Sequence, residues 1–127
     1  MKLRCETNSL RIRIRKSELT ELSEDGKLIE SVQFPDGKKF TYNLVIHDES
    51  DYVARFEDGN IWVQLPEEEA RTWLESEQVS LSAELELTHS DTTLSILVEK
   101  DFPCKDRPDE TGDDYFAELA DSEGATC

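Results

Sequence analysis

The 127 residues carry 14 Lys and Arg against 30 Asp and Glu, a formal net charge of −16 at pH 7. Charge of that sign repels phosphate backbones and anionic headgroups, which excludes duplex binding through counterion release and argues against nucleic-acid and membrane partners. A basic protein or a cation is the partner it favours.

Hydrophobic residues make up 36% of the chain and charged residues 35%, a lean apolar content, but the apolar positions are strictly periodic, which predicts folding rather than disorder. The length suits one domain, long enough to bury roughly two thirds of its unfolded surface. Cys5, Cys104 and Cys127 lack the spacing of a zinc site or a disulfide framework. The start of the chain has no apolar core of signal-peptide length, and no run approaches the ~18 apolar residues of a membrane span. The expectation is a cytoplasmic protein with reduced thiols and no cofactor, a monomer or homodimer.

Ser9 to Arg15 alternates Leu10, Ile12 and Ile14 with Arg11, Arg13 and Arg15, a strand with one buried and one cationic face. Ser17 is the expected cap of a short helix with Leu19 and Leu22 inward and Gly26 as a left-handed stop. A strand follows over Lys27 to Phe34, then the turn Pro35-Asp36-Gly37 and a strand over Lys38 to His47. Tyr52 to Phe56 reads as a connecting strand, and Asp58-Gly59 as a hairpin turn into Ile61, Val63 and Leu65. Pro66 opens a second helix to about Glu75, with Ala70, Trp73 and Leu74 inward. Val79 to Leu87 and Leu94 to Val98 alternate as the last two strands.

The two halves share the order strand, short helix, strand, tight turn, strand, which suggests a duplicated β-α-β-β unit. The fold class expected is α+β: a mainly antiparallel sheet of about seven strands, curled or barrel-like, with two short helices. The domain is expected over residues 1–104, and residues 105–127 as an acidic, largely flexible tail.

Several constellations carry chemical potential. Arg11, Arg13 and Arg15 on one strand face suit bidentate anion binding, or a ladder against Glu99, Asp101, Glu84 and Glu86 on pairable strands. Glu30 falls on an apolar face, so it needs a partner such as Arg13 or Lys100, or a place at a sheet edge. Arg11, Arg13, Glu30, Glu99, Lys100 and Asp101 are therefore the candidate ligand-binding set. Cys104, beside Lys100 and Lys105, suits a lowered-pKa thiol, a soft-metal ligand or simply a cap on the core. With Gly112 at the sixth position of a calcium loop, Arg107 occupies the first and excludes an EF-hand; Asp109, Glu110, Asp113 and Asp114 remain, with Cys104, as candidate metal ligands. The sequence holds no phosphate-cradling glycine loop, nucleophile elbow, zincin helix or dinucleotide fingerprint.

The segment Glu99-Lys100-Asp101-Phe102 with Cys104, together with Leu10-Arg11-Ile12-Arg13 and the helix start Ser17-Glu18-Leu19, resembles a family of small bacterial proteins of unknown function. No activity comes with the resemblance. Its relatives carry an acidic tail after the cysteine that ends near an aromatic residue and prolines; Asp113, Asp114, Tyr115 and Phe116 follow this, and the prolines are absent. The first expectation is a non-enzymatic binding or interaction module. The second is a small ligand-binding or enzymatic barrel with the charged set at its mouth, and the third a carboxylate-rich mimic of nucleic acid or weak divalent-metal binding by the tail.

Overall fold

The structure, a computed structural model, describes residues 1–101 and Phe116. The expected tail, apart from Phe116, and Cys104 lie outside the described residues. Ten elements follow one another: β1 (Lys2–Glu6), β2 (Ser9–Ile14), α1 (Lys16–Asp25), β3 (Lys27–Gln33), β4 (Lys39–His47), β5 (Val53–Glu57), β6 (Asn60–Pro66), α2 (Glu67–Glu75), β7 (Ser80–Glu86) and β8 (Thr93–Lys100).

The expectation of about seven strands in one curled sheet is corrected. Among the described residues there are eight strands in two four-stranded sheets, ordered β1-β2-β8-β7 and β3-β4-β6-β5, and they form no closed barrel. Four of the pairings are antiparallel, while β2 with β8 and β4 with β6 run parallel. Neither parallel pair is made by a helical crossover within one half of the chain. Each sheet takes one hairpin from the first half and one from the second, so the short helices never span a sheet face.

The order of elements recurs. Lys2↔Arg13 and Val53↔Gln64 occupy the same register, and so do Ile12↔Val98 and Leu44↔Val63. Thus β5 is not a connector: it is the counterpart of β1, the strand the alternation analysis missed. In this correspondence Met1 matches Tyr52, Glu18 matches Glu69, Leu22 matches Trp73, and Arg11 matches Trp62.

The core lies between the sheets. Ile12, Ile14, Ile96 and Val98 face Leu28, Leu44, Val63 and Leu65, and Leu22 of α1 with Ala70 and Trp73 of α2 seals it; all are buried. The helices begin directly after Ile14 and after Pro66, so they close the end of the sandwich where β2 and β6 finish. Arg15, not Ser17, is the N-cap of α1; its backbone N–H donates to Glu18 Oε1 at 3.0 Å, one half of a capping box. Gly26 stops the helix at φ 74°, its N–H donating to the Leu22 carbonyl at 2.9 Å. A Cβ at Gly26 meets nothing within 4 Å, so Gly26→Ala is expected to cost only the left-handed backbone, about 1–2 kcal/mol in a denaturant titration, with no change in fold. No helix among the described residues is long and apolar enough to cross a membrane.

Candidate functional site

Alternation along β2 and β8 puts Arg11, Arg13, Glu99 and Asp101 on the face of their sheet turned away from the inter-sheet core. The parallel register sets Arg11 beside Leu97 and Arg13 beside Glu99. Glu99 Oε1 accepts from Arg11 Nε at 2.6 Å and from Arg13 Nε at 2.7 Å, so one carboxylate oxygen serves two guanidiniums. Lys2 of β1, opposite Arg13, brings its ammonium to 3.1 Å from Asp101 Oδ2, and a terminal nitrogen of Arg13 lies 3.7 Å from Oδ1. The result is a ladder of three cations and two carboxylates across three strands.

Asp101 has 0% exposure, and among the described residues neither of its oxygens receives a hydrogen bond. The Lys2 contact is within ion-pair range but out of line for donation, so Coulomb attraction holds this carboxylate where directed donors are missing. Its backbone is better served: Asp101 N–H donates to the Ile14 carbonyl at 2.7 Å, and its carbonyl accepts from Phe116 N–H at 2.8 Å. Lys100 points to the other face of β8, donates to the Ser76 carbonyl at 2.7 Å, and sits 5.8 Å from the centre of the Phe116 ring; the Lys16 ammonium lies 5.6 Å from the same ring.

Glu30 does not join the ladder. It lies on β3, an edge strand of the other sheet, 3.6 Å from the Met1 α-ammonium. That ammonium is fully buried and is paired mainly with Glu18, while the Met1 carbonyl accepts from the Tyr42 hydroxyl at 2.9 Å. Burial alone would raise the Glu18 carboxyl. The ammonium, the Arg15 backbone N–H and the Arg15 charge together outweigh it and hold Glu18 below its ordinary pKa. The corresponding place in the second half is occupied by Tyr52 and Glu69, where burial and then the Glu69 carboxylate push the Tyr52 hydroxyl up to about 12.

Elsewhere the polar groups also pair locally. Glu84, expected as a partner for the arginines, accepts from the hydroxyls of Thr93 and Ser95, both at 2.7 Å, which lower its pKa. Strand β8 separates it from β2. Cys104, Asp109, Glu110, Asp113 and Asp114 lie outside the described residues. Among the described residues no group of three or more His, Cys, Asp or Glu side chains is placed to hold a metal ion.

The apolar surface is distributed differently. Ile29 is 54% exposed, Val32 46%, Phe34 50% and Phe56 70%. The first three lie on or just after β3 and the last on β5, the two edges of one sheet. Alternation does not mark these residues as a surface, although Ile29 stands out of phase with Leu28 and Val32. Nor does it mark Lys2, whose place in Lys2-Leu3-Arg4-Cys5-Glu6 follows a charged/apolar alternation too short to stand out.

A family model described as "Family of unknown function (DUF7009)" matches residues 1–119, both hairpins of each half and the ladder included. No curated protein matches the chain.

Proposed function

We propose that this chain, which belongs to the DUF7009 family of unknown function, is a non-enzymatic binding module that offers the β3 edge of its second sheet to a basic protein partner. One observation carries the reading. Four of the six charged residues that would line a ligand mouth, Arg11, Arg13, Glu99 and Asp101, pair with one another across strands, whereas the large exposed apolar side chains collect at the edges of a sheet. An edge strand presents a row of N–H and C=O groups able to accept a further strand, and β3 has no bulge or proline within Lys27–Gln33 to blunt it. The charge of −16 steers basic segments toward it. The reading takes residues 1–104 as one domain carrying an acidic extension, acting in the cytoplasm.

Paired substitution at this edge tests it. Ile29→Lys with Val32→Lys adds two like charges to a basic partner's landing site at exposed positions, so the stability of the free protein should stay within about 0.5 kcal/mol per site. The expected result is that proteins retained by the immobilised wild type at low salt are lost from the double variant and kept by Arg4→Glu, a control on the other sheet. Equal retention by both variants would overturn the proposal.

A further inference from the structure

We infer that the open end of the sandwich is a binding site for a small, uncharged apolar molecule. The helices close the end at which β2 and β6 finish; at the end where those strands begin, the sheets part around a cleft of about 440 Å³. Leu10 and Leu94 come from one sheet, and Ala54, Phe56 and Ile61 from the other. Leu10 pairs with Ile96 on β8 and Ile61 with Tyr42 on β4, so both walls continue the core outward. The volume falls within the roughly 300–1,000 Å³ of small-molecule sites.

The electrostatics of the rim fix the class of occupant. Glu6 and Arg55 line the rim of the cleft with the uncharged Asn8 and Ser9, and each of the two charges already has a partner on its own strand. Glu6 is held by Arg4 at 2.7 Å, and Arg55 lies over the Trp62 ring at 5.6 Å, beside Glu57 at 3.6 Å. Both sit on the strand faces opposite Cys5 and Phe56, so no charge from these strands projects between the sheets. A charged ligand group would lose its hydration there without gaining a partner, whereas a neutral ring or short alkyl chain loses nothing. Phe56, the most exposed large apolar residue at 70%, forms one wall, and burial of its ring against such a molecule supplies the gain.

The test is a titration of the full chain with N-phenyl-1-naphthylamine, a neutral fluorescent apolar probe, with the oligomeric state followed by sedimentation at the same concentrations. Saturable enhancement at one probe per chain is expected. Phe56→Ser, at an exposed position where folding is not at issue, should weaken it about tenfold, the loss of roughly 1.4 kcal/mol of aromatic contact. Ala54→Phe should fill the cleft and weaken it at least as much. The Ile29→Lys, Val32→Lys protein should bind the probe as the wild type does, so this result stands or falls separately from the β3 proposal. Unsaturable uptake, affinity unchanged by both cleft variants, loss in the β3 variant instead, or sedimentation as a dimer that excludes the probe would each overturn the inference, the last by showing a second copy in the cleft.

Discussion

Glu99→Ala is expected to lower the unfolding free energy by about 3–5 kcal/mol, because it removes the carboxylate that holds both Arg11 and Arg13 in a site from which water is largely excluded. For a chain of this length that corresponds to a fall in Tm of roughly 10–20 °C. The carboxylate and Arg13 are buried and Arg11 nearly so, and one oxygen, Glu99 Oε1, holds both guanidiniums at 2.6 and 2.7 Å. Glu99→Gln keeps an acceptor and removes the charge. It should therefore fall between wild type and alanine, a loss of about 1.5–3 kcal/mol, the range for a hydrogen bond to a charged group. Replacing the trio together, Arg11→Met, Arg13→Met and Glu99→Leu, removes their mutual attraction and their desolvation cost but leaves the buried Asp101 with Lys2, so part of the stability should return. Urea titrations of the four proteins decide the matter. A triple variant as unstable as Glu99→Ala would mean that these charges stabilise through something other than one another, and the ladder would no longer count as a self-sufficient structural unit.

Much of this was legible in the sequence, for a reason that also marks where legibility ends. A half-buried strand writes its own period, so β2, β4, β6, β7 and β8 stood out through Leu10-Ile12-Ile14, Tyr42-Leu44-Ile46, Ile61-Val63-Leu65, Leu81-Ala83-Leu85 and Leu94-Ile96-Val98. Turns with a positive-φ demand were equally clear: Asp58 and Gly59 adopt φ 50° and 76°, and Gly37 φ 87°. The inward stripes of both helices followed from their spacing, and Leu22, Ala70 and Trp73 are fully buried.

Strand β1 was not legible because Leu3 and Cys5 are its only inward positions and Cys5 is exposed. The split into two sheets was hidden for a different reason. It depends on β2 meeting β8 and β4 meeting β6, pairings between distant segments that no local pattern encodes. The partners of Arg11 and Arg13 were narrowed to four acids, but the choice of Glu99 and Asp101 over Glu84 and Glu86 needed the strand order. Glu30 illustrates the opposite limit. Of the two places open to Glu30, a charged partner or a sheet edge, the structure shows the edge, and the cation nearest it is a main-chain ammonium, which side-chain patterns cannot show.

That ammonium leads to the second large effect. Glu18→Gln is expected to cost about 3 kcal/mol or more at pH 7, since it leaves the fully buried Met1 charge with Glu30 alone at 3.6 Å. The dependence on pH separates charge from packing. The folded protein holds the Glu18 carboxyl below its ordinary value of 4.5, so the stability this carboxylate supplies is complete above that value and is lost as the pH falls through the lower, folded one. Wild type and Glu18→Gln should differ fully at pH 6 to 7 and converge as the pH falls through the lowered, folded pKa; a gap that persists after the carboxyl is protonated would assign the cost to packing instead. The corresponding pair in the second half has the opposite sign at the opposite end of the scale. Burial and then the charge and hydrogen bond of Glu69 raise Tyr52 to about 12 from an ordinary 10.0, so the stability it contributes is intact below pH 10 and declines as the pH rises toward 12. Tyr52→Phe should flatten that alkaline decline and leave the acid limb unchanged, whereas Glu18→Gln should flatten the acid limb and leave the alkaline one. Equivalent positions of the two halves, Met1 with Glu18 and Tyr52 with Glu69, thus join the start of an edge strand to the first turn of a helix, one through a charge lost in acid and the other through a hydroxyl lost in base.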